Sequence, residues 1–156
     1  MAQALPLAYQ LFFLWIEPIA TALGAYYAWF AQDEYMSLTH YTLSSHRGVS
    51  TRESIVLYQL ANLYFVFALN EALVLRATQD LKVWKVFLLG LLIADFGHLY
   101  SVHAMGLPVY WEFWTWNSMY WGNLGFVYVG ASMRMAFLSG VGLGRQIGKS
   151  ISKVKK

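Results

Sequence analysis

Cysteine is absent from the 156 residues, and charged residues make up only 12% of them. The first absence excludes a disulfide framework, a cysteine-ligated metal site and the four-helix membrane thiol oxidoreductases, all of which need the thiol. The second excludes more. Soluble domains carry roughly 25% charge, and a soluble domain this short buries only about two thirds of its surface, so these few polar residues could not clothe a water-facing fold. Set against that scarcity are 58% hydrophobic and 18% aromatic residues. The solvent that suits this composition is lipid.

The signatures of soluble enzymes are missing as well. No Gly-x-Ser-x-Gly occurs, so serine hydrolase chemistry has no nucleophile elbow. Neither HExxH nor HxxxH occurs; His40, His46 and His103 fall in connecting segments and only His98 in an apolar run, which leaves no metal expected. The stretch GVGLGRQIGKS at 140–150 misses a Walker A loop by one residue, because the glycine required six positions before Lys149 is Leu143. It reads instead as a flexible helix end leading into a basic tail near anionic lipid, with Lys149 a membrane-surface charge. The net charge of +3 does not imply nucleic acid either, since five of the eleven Lys and Arg lie in the last twelve residues.

What is there is a set of long apolar runs. Crossing about 30 Å of hydrocarbon takes about 20 helical residues, and four runs qualify, at 7–31, 54–76, 81–102 and 118–143. The first lacks a basic n-region, is too long for a signal peptide and carries Glu17-Pro18 in its middle, so it reads as a retained span. Neighbouring helices can satisfy the carbonyl that Pro18 frees. Four spans put both termini and the short link near 78–81 on one side, together with Arg76, Lys82, Lys85, Arg145, Lys149, Lys153, Lys155 and Lys156. Only Arg47 and Arg52 face them. The positive-inside rule then places both termini in the cytosol. The expected fold is all-α, an integral membrane four-helix transmembrane bundle, with one four-span domain at 1–144 and a basic cytosolic tail at 145–156.

On the opposite side, Asp33, Glu34 and His40 read as a solvated loop. The last connection holds Tyr110, Trp111, Phe113, Trp114, Trp116, Tyr120 and Trp121. These rings suit an interfacial belt, or an aromatic lid over a lipophilic pocket.

A charged side chain at mid-membrane costs at least about 2.5 to 3.5 kcal/mol on insertion scales, so each one needs a partner, water or a task. Every span has one: Glu17, Glu71, Asp95 and Arg134. Counted from the cytosolic face they lie about 10, 5, 14 and 9 residues in, or roughly 8 to 21 Å at 1.5 Å per residue. Four charges at similar depth predict one polar layer. Asp95 and His98 are i, i+3 on one face, Tyr64 and Glu71 share a face, and Asn123 points wherever Arg134 does, three turns away. Gly122, Gly125 and Gly130 near that stripe serve either close helix approach or ligand space. Three acids against one arginine allow a neutral acid to donate a proton while an ionised one accepts, the division of labour in general acid and base catalysis. The structural alternative is a salt bridge of Arg134 with one acid, the other acids being hydrogen-bonded for helix assembly.

The blocks LFFLWIEPIATALGAYY (11–27), QLANLYFVFALNEALVLRAT (59–78), GLLIADFGHLYSV (90–102) and WNSMYWGNLGFVYVGASMRMAFL (116–138) resemble a fungal family of small four-span membrane proteins, mostly known as a domain of unknown function. Some of its members resemble the membrane-bound epoxide hydrolases or cyclases of polyketide clusters such as those for aurovertin and citreoviridin. The resemblance covers nearly the whole chain. It implies opening of an epoxide on a lipophilic polyketide or terpenoid by water or an internal hydroxyl, without a cofactor, in a membrane such as the endoplasmic reticulum. Its blocks carry Glu17, Asn70, Glu71, Asp95, His98, Asn117, Asn123 and Arg134. Catalysis is expected of Asp95, with Glu71 or Glu17 in the complementary role, Arg134 holding one acid, and His98 assisting. Asn123, Asn70, Asn117, Tyr64 and Trp121 are expected to contact the substrate. The pocket can be made by one bundle or by a homodimer.

Three other classes fit the same layer. A sterol-isomerase-like or terpene-cyclising enzyme would protonate an alkene and hold the cation against aromatic rings. A small proton-coupled transporter would use a buried glutamate of its first span. A non-catalytic scaffold would use the charges for assembly alone and tolerate their neutralisation.

Overall fold

The computed structural model describes residues 5–40 and 48–143. His46, Arg47 and the basic tail from Arg145 onward, with Lys149 and the domain boundary placed there, lie outside the described residues. Among the described residues the protein is all helical, without a strand. Three helices are long and apolar enough to cross a membrane: α1 (Leu7–Phe30), α3 (Thr51–Ala77) and the helical segment Leu81–Met105 that begins with α4 (Leu81–Ser101). A fourth helical run, α5 at 118–138, carries Asn123 and Arg134 among its apolar residues.

The boundaries have local causes. Ser50 and Glu53 form a reciprocal capping box at the start of α3, with Glu53 Oε2 accepting from the Ser50 amide at 2.8 Å. Asp80 caps α4 by accepting from the Lys82 amide at 2.8 Å, and Asn117 caps α5 by accepting from the Tyr120 amide at 2.9 Å. The end of α5 differs from the span expected to reach residue 143. The helix stops at Leu138, where Val141 N–H donates to Ala136 O and Gly140 N–H to Phe137 O, both at 3.0 Å. With Gly140 at φ +83°, this is a Schellman termination. Apolar composition continues past the stop, but the backbone has already turned.

The polar loop expected around Asp33 and Glu34 is also a helix, α2 (Gln32–Thr39). It follows a single break at Ala31 and folds back because Tyr35 buries its ring against Ala28, Leu57 and Ala61. Asp33 Oδ1 accepts from the Val49 amide at 2.8 Å, which ties α2 to the start of α3.

Helix α1 packs along α3, and α4 along α5. The two pairs meet at one end through Tyr9, Phe12, Phe13, Leu75, Trp84, Leu88 and Phe137. Elsewhere large apolar side chains face outward, among them Ile19, Phe30, Val56, Val86, Ile93 and Tyr100. Such surfaces suit hydrocarbon rather than water.

Two π-helical turns interrupt the regular winding. One, Phe12–Ile16, leads into Glu17-Pro18, where proline lacks the N–H that would bond Leu14 O. Arg76 of α3 reaches across and donates Nη2 to that carbonyl, as its guanidinium lies 4.5 Å over the Trp15 ring. The other, Trp121–Gly125, contains Asn123. Both turns flank the polar layer, and π-bulges recur at functional sites because they re-aim side chains and loosen backbone pairing.

Candidate functional site

Arg134 is the centre of the polar layer. It is 3% exposed on α5 and bridges two helices, donating Nη1 to Asp95 Oδ2 of α4 at 2.6 Å and Nη2 to Glu17 Oε1 of α1. Glu71 of α3 is equally buried and lines the same cavity as Glu17, Asp95 and Arg134. One residue from each of the four helices therefore meets at one place. Gly130 makes the meeting sterically feasible. A Cβ there would stand 2.8 Å from Arg134 Nη1 and 3.3 Å from Glu17 Oε1, so the glycine leaves room for the ion pair.

The cluster is not saturated. Glu17 Oε2, Glu71 Oε1, Arg134 Nε and His98 Nε2 are buried without a hydrogen-bond partner. Buried polar atoms are nearly always paired, and groups left over call for an explanation such as a ligand or water. Three of the four belong to the carboxylate and guanidinium cluster. His98 lies one turn beyond Asp95 on α4 and lines the same cavity as Asn123 of the π turn.

These atoms form one end of a cavity of about 510 Å³. Its lining includes Glu17, Glu71, Asp95, His98, Asn123 and Arg134, together with Tyr64 and Trp121. The walls between them are mostly apolar, with Leu23, Phe67, Leu91, Phe126 and Val127. Along α1 the lining runs from Glu17 to Tyr27, about ten residues or about 15 Å of helix. Beyond the polar end, the aromatic cluster of Tyr9, Phe13, Trp84 and Phe137 closes the bundle. A concave, largely apolar chamber with few convergent polar groups is the usual form of a small-molecule site.

Two of the expected positions lie elsewhere. Asn70 is exposed on α3 and does not line the cavity, because Glu71 beside it takes the inward direction and adjacent helical residues diverge. Asn117 is a structural cap: besides accepting from Tyr120 N, its amide donates to Leu38 O at 2.7 Å and so fastens α2 to α5. Of the rings in the last connection, Trp111, Phe113 and Trp114 are exposed and only Trp121 reaches the cavity wall. Trp116 donates instead to Val109 O and Tyr110 to Leu99 O, both at 2.8 Å, holding the connection to itself and to α4.

The glycines divide between the two uses expected of them. Gly122 lines the chamber with open space around it, whereas Gly125 accommodates the Trp121 and Trp116 rings. Sequence reasoning missed Thr21, Glu34, Tyr35 and Ser118, all of which line the cavity. Thr21 carried a signal, being four residues after Glu17 on the same face. The other three come from α2 and the start of α5, whose positions depend on tertiary packing. Among the described residues no three His, Asp or Glu side chains are grouped to hold a metal ion, and two of the acids are engaged with Arg134.

Residues 2–144 match the model of a family described as a domain of unknown function, DUF7704. No curated protein and no solved structure matches the chain.

Proposed function

The chain belongs to that DUF7704 family, and we propose that it is a membrane-bound epoxide hydrolase or cyclase acting on a lipophilic polyketide or terpenoid. The observation that carries the reading is the unsaturated acid cluster at the end of an apolar chamber: three carboxyls and one guanidinium, with orphan atoms on Glu17, Glu71 and His98. Epoxide opening needs both a donor and an acceptor beside an apolar binding space.

The roles follow from the pairing. Asp95, held by Arg134, is the carboxylate that accepts a proton from water or from a hydroxyl of the substrate as that oxygen attacks carbon. Glu71, with no cation of its own, donates a proton to the epoxide oxygen as the C–O bond breaks. Glu17, pinned to Arg134 on one oxygen, shares that cation with Asp95 and holds the guanidinium in place. One proton leaves the acid and one reaches the base, so passing a proton from Asp95 back to Glu71 completes the turnover. His98 and Asn123 orient the attacking oxygen.

In this reading α5 is a fourth span and both termini are cytosolic, in the endoplasmic reticulum membrane. The Lys and Arg excess on the side of the 78–81 link supports the orientation. Membranes bearing the protein, incubated with lipophilic epoxides in ¹⁸O-labelled water, test the function. Hydrolysis gives a labelled diol and cyclisation an unlabelled isomer. Asp95→Asn should lower either rate by about 100-fold or more, the usual loss on removing a general base, while the protein stays folded. A variant with wild-type rates would overturn the assignment.

A further inference from the structure

The far part of the chamber holds a second polar station. Tyr35 of α2 and Tyr64 of α3 both line the cavity, and their hydroxyls face each other at 3.4 Å. That separation is long for an O–H···O bond, whose usual distance is about 2.7 to 2.8 Å. The pair also has a hydrogen to spare. Two phenols hold two O–H groups and their mutual contact uses one, so the second has no acceptor among the described residues. A buried donor left in that state costs free energy that a ligand oxygen would recover.

The position of the station is set by α3. Tyr64 precedes Glu71 by two helical turns on the same face, so the two levels are about 10 Å apart along the axis. Phe67 lies between them on the wall, and the space it borders is apolar. A ligand that fills the chamber therefore meets acids at one end, hydrocarbon in the middle and phenol hydroxyls at the other.

We propose that Tyr35 and Tyr64 form a recognition site for a second oxygen function of the substrate, a hydroxyl, ether or carbonyl about 10 Å from the reacting epoxide. The proposal rests on the reading of the acid cluster as the reacting end. It narrows the substrate class from any lipophilic epoxide to elongated ones oxygenated at two separated places. The two tyrosines are specificity residues, since they touch the distal oxygen and not the reacting atoms.

The test uses the full chain in detergent micelles and two probes, 1,2-epoxydecane and 9,10-epoxydecan-1-ol; in the second, an extended chain sets the hydroxyl at a comparable span from the epoxide. Affinities are measured by calorimetry for wild type, Tyr64→Phe, Tyr35→Phe and Asp95→Asn. The two probes partition differently into micelles, so the quantity read is the ratio of their affinities in each variant against wild type. The hydroxylated probe should lose about threefold to tenfold of its relative affinity in either phenylalanine variant, the worth of one hydrogen bond. Asp95→Asn should retain it. A ratio unchanged in both phenylalanine variants, or no binding of either probe to wild type, overturns the proposal. A ratio that responds as expected while neither probe is turned over supports the distal site and sinks the epoxide chemistry, so the two failures are distinguishable.

Discussion

Arg76 Nη2 donates to the carbonyl of Leu14, which is the acceptor that Pro18 leaves without its helical N–H. An unpaired carbonyl within hydrocarbon is expensive because no water can replace the missing donor. The guanidinium reaches it from the last turn of α3, where it also bonds Ala72 O at 2.9 Å and covers the Trp15 ring. The proline that introduces Glu17 into the site is therefore supported by a side chain outside the cavity.

Arg76→Ala should destabilise the protein by about 1 to 3 kcal/mol, the cost of leaving one such acceptor unmet. Arg76→Lys should recover part of that, since it keeps a donor but loses the planar fork and the stacking over Trp15. Chemical unfolding in mixed micelles measures both. An Arg76→Ala variant as stable as wild type would show that Leu14 O finds another donor.

Gly130→Ala tests the room made for the ion pair. The new methyl would fall 2.8 Å from Arg134 Nη1, so the guanidinium must shift away from Glu17 and Asp95. Activity on an epoxide should fall at least about tenfold, because misplacement of catalytic groups by about 1 Å can cost 100-fold. Gly90→Ala, which meets open space on α4 and does not line the chamber, is the control and should retain most activity. Equal losses in the two would refute the close-approach account of Gly130, since alanine raises helix propensity at both positions.

Arg134→Met should be among the most damaging substitutions for stability. It would leave Glu17 and Asp95 buried without their common cation, and breaking a buried pair from one side costs about 3 to 5 kcal/mol. Combining it with Glu17→Gln and Asp95→Asn should restore much of the stability and none of the activity. A triple variant no more stable than Arg134→Met would refute the account of the cluster.

Gly140→Ala should shorten the range of denaturant over which the protein survives, by about 1 to 2 kcal/mol, because the residue sits in the left-handed region at φ +83° where a Cβ is strained. Thermal unfolding in detergent would show it as a lowered midpoint.

Much of this was legible in the one-dimensional pattern. Apolar runs of spanning length and the placement of Glu17, Glu71, Asp95 and Arg134 are properties of sequence spacing, and helical periodicity converts spacing into shared faces without knowledge of neighbours. Asp95 and His98 line one cavity for that reason, as do Tyr64 and Glu71. Only the tertiary structure decided which acids Arg134 binds, that Gly130 clears space for them, that Asn117 caps a helix while Asn70 faces outward, and that α2 brings Tyr35 against Tyr64. These depend on the rotation and translation of one helix against another. Side-chain volumes at contacts such as Tyr35 with Ala28 and Ala61 set those quantities, and no period in a single segment records them.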